Sequence, residues 1–163
     1  MRKKIKFAPR EVFEQILEYA VIPTFDLVIQ YGDEGVVIVR RKIAPYKDKW
    51  AFPGLRMFKP ESIEDTLSRI ANDELGLGVD PRARVFLGQY VGRFSTEHGR
   101  QDLSTGYLLK VSAEQVIRLN ASHFHSYRLT TTVPSGMGAM YGFYLRRYME
   151  MRRRAKTGGS RVL

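Results

Sequence analysis

The stretch Trp50 to Leu77, WAFPGLRMFKPESIEDTLSRIANDELGL, constrains the fold more than any other, because a tight glycine turn runs into a helix that signals both of its ends. Ile63, Leu67, Ile70, Ala71 and Leu75 recur at three-and-four spacing, the pattern that buries one stripe of a helix. Glu64, Arg69, Asp73 and Glu74 are expected mainly on its other sides. Starting the helix at Glu61 gives Pro60 and Glu61 a place in the first turn. A missing N–H is harmless there, and negative charge meets the positive end of the dipole. Gly76 suits the stop.

Asp73 and Glu74 crowd two carboxylates near the helix C-terminus, with Arg69 four residues before Asp73. Negative charge there opposes the dipole and calls for compensation. A hard divalent cation would provide it, since Mg2+ accepts one or two carboxylates and keeps waters and substrate phosphates in its other positions. A plain alternative is that Arg69 and Asp73 form a solvated i,i+4 pair.

The rest of the chain reads as support for this unit. Glu11 to Ala20 has the spacing of a short helix, with Val12, Phe13, Ile16 and Leu17 on it. Phe25 to Gln30 and Gly35 to Arg41 are β-branched runs separated by a turn composition, which predicts a hairpin. Ile43 to Lys49 reads as a polar loop. Ala83 to Phe94 and Leu103 to Ser112 read as strands, joined by a polar loop, Ser95 to Gln101, long enough to fold over a ligand. Ala113 to Leu119 is expected to make a helical turn, Tyr127 to Thr132 a strand, and Pro134-Ser135-Gly136 to start a final helix. Met140, Phe143, Tyr144, Tyr148 and Met151 share one face of that helix. Strands interrupted by helices in mixed order argue for an α/β sandwich.

At 163 residues and 44% apolar composition the chain is expected to form one domain. Absence of cysteine excludes disulfides, thiolate metal sites and cysteine nucleophiles. The basic N-terminus has no apolar run of signal-peptide length and no stretch approaches a membrane span, so a cytoplasmic location and no membrane partner are expected. The net charge of +10 is concentrated in residues 1–10 and 128–163, while the middle of the chain is close to neutral. Weak polyanion binding through the basic termini, 1–10 and 152–163, follows as an expectation, with solvated tails as the plainer reading.

The Trp-x-Phe-Pro-Gly lead-in, then Glu61, Arg69, Asp73, Glu74, Gly76 and Leu77, resembles the signature of the Nudix hydrolases over roughly residues 22 to 150. Leu55 replaces the opening glycine of that signature, and Ile70 replaces the glutamate that follows the arginine. The resemblance implies an α/β/α sandwich, a mixed β-sheet between helices, with the signature loop and helix forming the floor of the site.

Loss of the glutamate at position 70 makes the chain similar to one branch, the GDP-mannose mannosyl hydrolases. That branch keeps a single metal and attacks the anomeric carbon of the sugar, releasing GDP and free sugar. The resemblance implies Mg2+, with Mn2+ as an alternative, on the Gly54 carbonyl and Glu74, with Asp73 beside them. It implies Arg56 and Arg41 on the diphosphate, Asp26 at the sugar and nucleoside end, Tyr107 near the leaving phosphate and Arg69 as the signature arginine. A homodimer is the state expected from it. The branch places glutamine and histidine, a ligand and the general base, before a Tyr-Arg pair. Here Ser122-His123-Phe124-His125-Ser126 precedes Tyr127-Arg128. Without a gap, His123 takes the ligand position and Phe124 the base position; with one residue of slippage, Ser122-His123 replaces the pair. His123 is the first choice of base and His125 the second, since imidazole titrates near neutral pH. A pyrophosphatase that recruits Glu97 or Asp102 in place of Ile70, and a non-catalytic nucleotide- or nucleic-acid-binding domain, are the alternative readings.

Overall fold

The computed structural model describes residues 4–158. Its centre is a strand buried on both faces, β1 (Ile22–Tyr31), whose run Leu27-Val28-Ile29 is inaccessible to solvent. A strand so placed is expected to be apolar without alternation, and the run Leu27-Val28-Ile29 is, while Thr24 and Asp26 are polar residues buried in the same strand. It forms a hairpin with β2 (Val36–Arg41) and lies parallel to β6 (Gln101–Val111), which pairs antiparallel with β5 (Val85–Arg93). The short strands β3 (Trp50–Ala51) and β4 (Gly54–Arg56) pair with β2 and β1, and β7 (Phe124–Thr130) pairs with β2. The sheet is therefore mixed, ordered β3-β2-β1-β6-β5 with β4 and β7 attached beside that path.

Helix α2 (Ile63–Leu75) covers one face of this sheet and α3 (Ala139–Gly158) the other. The faces are distinguished by what their side chains reach. Ser104 bonds to Asp26 and to Tyr144 of α3, and Gln30 accepts from Tyr148, so Asp26 and Gln30 look toward α3. By the two-residue period of a strand, Phe25, Leu27 and Ile29 look toward α2. The α/β/α sandwich expected from the sequence is the architecture found. No helix among the described residues is long and apolar enough to cross a membrane.

The central helix starts two residues later than expected. Ser62 is its N-cap, accepting from the Asp65 N–H at 3.1 Å while Asp65 accepts from the Ser62 N–H at 2.9 Å. This reciprocal box satisfies two end donors, so Pro60 and Glu61 stay outside the helix. Gly76 ends it in the left-handed conformation at φ 65°, as its position suggested. Arg69 and Glu74 are not on the solvent side: both are buried, with Leu67, Ile70, Ala71 and Leu75.

The N-terminal helix, α1 (Arg10–Tyr19), buries no residue. Residues 113–119 form a turn and an extended segment rather than a helical turn, for a reason that emerges at the site. β7 begins at Phe124 and α3 at Ala139, so the first strand residues and the last pre-helix residues were misassigned. On α3, Met140, Tyr144 and Tyr148 are buried as expected and Tyr141 and Leu145 join them, while Phe143 and Met151 sit at the margin. The basic C-terminal segment is helical through Gly158; Arg2, Lys3 and Arg161 lie outside the described residues.

Candidate active site

The site forms where the end of β2, the β4 to β1 pairing and the C-terminal turn of α2 meet. Gly54 stands opposite Asp26. Leu27 donates to the Pro53 carbonyl and Met57 to the Pro23 carbonyl, and hydrogen-bonded pairs alternate along an antiparallel ladder. Gly54 and Asp26 are therefore a non-hydrogen-bonded pair, and the Gly54 carbonyl is directed away from β1. The glycine is required by close approach, since a Cβ there would lie 2.6 Å from the Phe25 carbonyl oxygen and overlap the Asp26 carboxylate. Its φ is not positive, so left-handed backbone is not the reason for the glycine.

Asp26 is 4% exposed. Its carboxylate accepts from Ser104, and Ser104 contacts the Tyr144 hydroxyl at 2.7 Å. With Ser104 donating to the carboxylate, the Tyr144 O–H is left to donate to Ser104. Burial pushes the Asp26 carboxyl up to about 7, against the opposing effects of Ser104 and Arg41.

Glu74 is 1% exposed and its carboxylate is held by two neighbours that follow it by more than forty residues. His123 Nδ1 lies 2.7 Å from Oε1, and Asn120 Nδ2 donates to the same oxygen at 3.0 Å. Burial raises this carboxyl above its ordinary range, opposed by His123, Asn120 and Arg41. Segment 118–120 lies extended along the end of α2 because it feeds the helix's orphan carbonyls: Arg118 donates to Leu75 O at 2.8 Å and Asn120 to Glu74 O at 2.9 Å. A helical turn over those residues would have consumed the donors internally.

Arg41 exerts its charge on both Asp26 and Glu74. Its guanidinium donates to the carbonyls of Pro45 at 2.7 Å, Ile43 at 3.3 Å and Ala44 at 3.4 Å, so it also fastens the loop after β2. Arg56 shares a sheet face with Gly54 and Asp26 by register. Its guanidinium stacks on Phe13 of α1 at 4.0 Å and on Phe58 at 4.8 Å. Burial, Arg100 and Arg69 all work against its charge, which an arginine nonetheless keeps.

Four expected site residues fall elsewhere. Asp73 is exposed and accepts from Asn72 at 3.0 Å; one helical residue turns it away from buried Glu74. Arg69 pairs with Glu61, at 3.0 Å between Nη2 and Oε2, and donates to Arg56 O at 2.8 Å. It braces the signature loop from a buried position. Tyr107 lies on the α2 side of β6, stacked on Phe25 at 6.0 Å and under Arg84, on the opposite face from Asp26. His125 is half exposed, with Nε2 3.3 Å from Asp48. Phe124, aligned without a gap to the base position, is a core residue. His98, in the loop before β6, lies 3.4 Å from Glu18 of α1.

Sequence reading missed Asn120, Ser104 and Tyr144 as site residues. Nothing local marks them; each becomes part of the site through a contact across the fold.

The family model described as NUDIX domain matches residues 22–133. The chain belongs to this family. It is 34% identical over 77 residues to the low-salt glycan biosynthesis protein Agl8 of Haloferax volcanii, an alignment covering 47% of this chain and 49% of that protein. The match thus spans about half the length of that relative. The Nudix architecture recurs in the MutT NUDIX hydrolase of Burkholderia pseudomallei, with a TM-score of 0.67, 17% identity, and coverage of 77% of this chain and 96% of that one. It recurs in the NUDIX domain of Shewanella oneidensis NrtR complexed with ADP ribose, with a TM-score of 0.60, 17% identity, and coverage of 91% and 94%. At such identities the structural likeness is one of fold.

Proposed function

We propose that this Nudix protein is a Mg2+-dependent hydrolase of a nucleoside diphosphate sugar that cleaves at the glycosyl carbon. One observation carries the reading: the buried Glu74 carboxylate holds His123 by Nδ1 at 2.7 Å, while Ile70, where a second signature carboxylate would stand, is sealed in the core. A carboxylate-oriented imidazole is a general base for water. The alternative carboxylates for a pyrophosphatase are poorly placed to replace residue 70. Asp102 is engaged by Arg100 at 2.8 and 3.0 Å, and Glu97 is exposed in a loop.

The donors present fit a Mg2+ ion better than a closed protein cage. Among the described residues no three His, Cys, Asp or Glu side chains form a metal cluster, and Mg2+ commonly takes few protein ligands. Glu74 Oε2 and the Gly54 carbonyl would hold it, on α2 and β4, which pack together. When bound, the ion neutralises diphosphate charge. His123 donates Nδ1–H to Glu74 and accepts the water proton at Nε2. Arg56 and Arg41 would meet the leaving diphosphate, since guanidinium forks match phosphate oxygens. Asp26, on the same face as Arg56, is the group for a sugar hydroxyl.

The relative named for glycan biosynthesis agrees with a sugar substrate. A single domain, a homodimer and weak polyanion binding along exposed Arg146, Arg147, Arg153, Arg154 and Lys156 of α3 belong to the same proposal. The test is product analysis on GDP-sugars with Mg2+ in 18O-water. Free sugar carrying the label, with unlabelled GDP, is the expected result. Sugar phosphate with GMP would make the protein a pyrophosphatase, and no turnover with retained nucleotide binding would make it a binding domain.

A further inference from the structure

We propose that Asn120 is the positioning residue of the site, holding the Glu74 carboxylate and the His123 imidazole in the one arrangement that leaves Nε2 to take a proton. The proposal rests on His123 being the base.

Asn120 uses every polar group it has on this one junction. Its N–H donates to Glu74 O at 2.9 Å, and its carbonyl accepts from His123 N at 3.1 Å and Phe124 N at 3.0 Å. The turn carrying the imidazole is thereby pinned to the end of α2. Its side-chain oxygen accepts from Ser122 N at 3.1 Å, which fixes the orientation of the amide and aims Nδ2 at Glu74 Oε1, 3.0 Å away. The same nitrogen lies 3.3 Å from His123 Nδ1, walling the ring on one side.

The tautomer follows from these distances. Oε1 of an ionised carboxylate only accepts, so an imidazole nitrogen 2.7 Å away must carry the hydrogen between them. With Nδ1 protonated, the neutral ring has its lone pair on Nε2. Without the Asn120 amide, Oε1 loses a donor, and the carboxylate is free to rotate away from the imidazole. Outer partners of this kind typically matter by 10- to 100-fold in activity.

A side chain that only built the turn would predict a different result, and Asn120→Asp separates the two roles. It keeps the oxygen that accepts from Ser122 but removes the donor and sets a second carboxylate beside Glu74. The expected outcome is a kcat lowered about 10- to 100-fold, KM within about threefold and circular dichroism unchanged. Independently of activity, nitrogen-proton NMR of the metal-free protein should show a single Nδ1-protonated, hydrogen-bonded His123 in the parent chain and loss of that signal in the variant. With three histidines in the chain, assignment by single substitution is direct. If Asn120→Asp does not fold, Asn120→Ser keeps an acceptor for the turn and carries the same readouts. A parent chain that hydrolyses no nucleotide sugar, with the imidazole signal fixed in it and lost in the variant, would remove the functional reading and leave the positioning role standing. Wild-type kcat, or an unchanged His123 signal in the variant, would overturn the proposal.

Discussion

Asp26→Asn should make the protein more stable at neutral pH while leaving its stability near pH 4 comparatively unimproved. Asp26 is buried beside Gly54, and its carboxyl is pushed from 3.8 to about 7 chiefly by desolvation. The folded state therefore binds a proton more tightly than the unfolded chain, and between about pH 4 and about pH 7 stability falls as pH rises. The contribution is complete below the unfolded value and lost above the folded one. Such a shift corresponds to about 4 kcal/mol across the window, as an order of magnitude. Asparagine has no such titration. Its amide keeps an acceptor for Ser104 but adds a donor that needs a partner, a cost of about 1–3 kcal/mol that does not vary with pH. The decisive quantity is thus the slope of the difference, not its value at one pH. Urea unfolding of metal-free parent and variant from pH 4 to 8 should give a difference that grows by several kcal/mol in favour of the variant. Other carboxylates titrate alike in both chains and cancel. Parallel stability curves would refute the desolvation argument.

Glu74→Gln should retain the fold and abolish metal-dependent turnover, because the amide keeps the shape but not the charge a hard cation needs; unchanged Mg2+ affinity and kcat would sink the assignment. Arg56→Ala should lower kcat/KM by orders of magnitude, with Arg56→Lys a partial rescue, because the ammonium lacks the guanidinium fork that meets developing diphosphate charge. Normal hydrolysis by the alanine variant would reduce Arg56 to a brace for Phe13 and Phe58. Ile70→Glu, which restores the residue type of the family signature, should destabilise the chain by about 3 kcal/mol or more rather than create a pyrophosphatase, because that side chain is fully buried among core residues. Denaturation midpoints and product analysis of the purified variant check both halves of that statement.

Local pattern carried much of the fold. The three-and-four stripe of α2, its glycine stop and the β-branched runs of β1 and β2 are periodicities that short-range sterics and burial impose, so they are readable from the chain. The signature spacing puts Glu74, Gly54 and Arg56 in one turn-and-helix unit, whose two elements, β4 and α2, pack together. The start of α2 was misplaced because Ser62 and Asp65 competed with Pro60 and Glu61 for the first turn, and only the closed box showed which pair won. Glu61 was released to bind Arg69, a contact across eight residues that no periodicity announces. Long-range contacts decided the chemistry. Asn120 and His123 reach Glu74 only because segment 118–120 fills the open carbonyls of α2, and Ser104 and Tyr144 reach Asp26 only because β6 runs parallel to β1 under α3. Tyr107 is excluded from that company by strand parity, which depends on the register of β6 against β1. Periodicity reports which side of an element is buried; which distant residue is buried against it is a property of the assembled sheet.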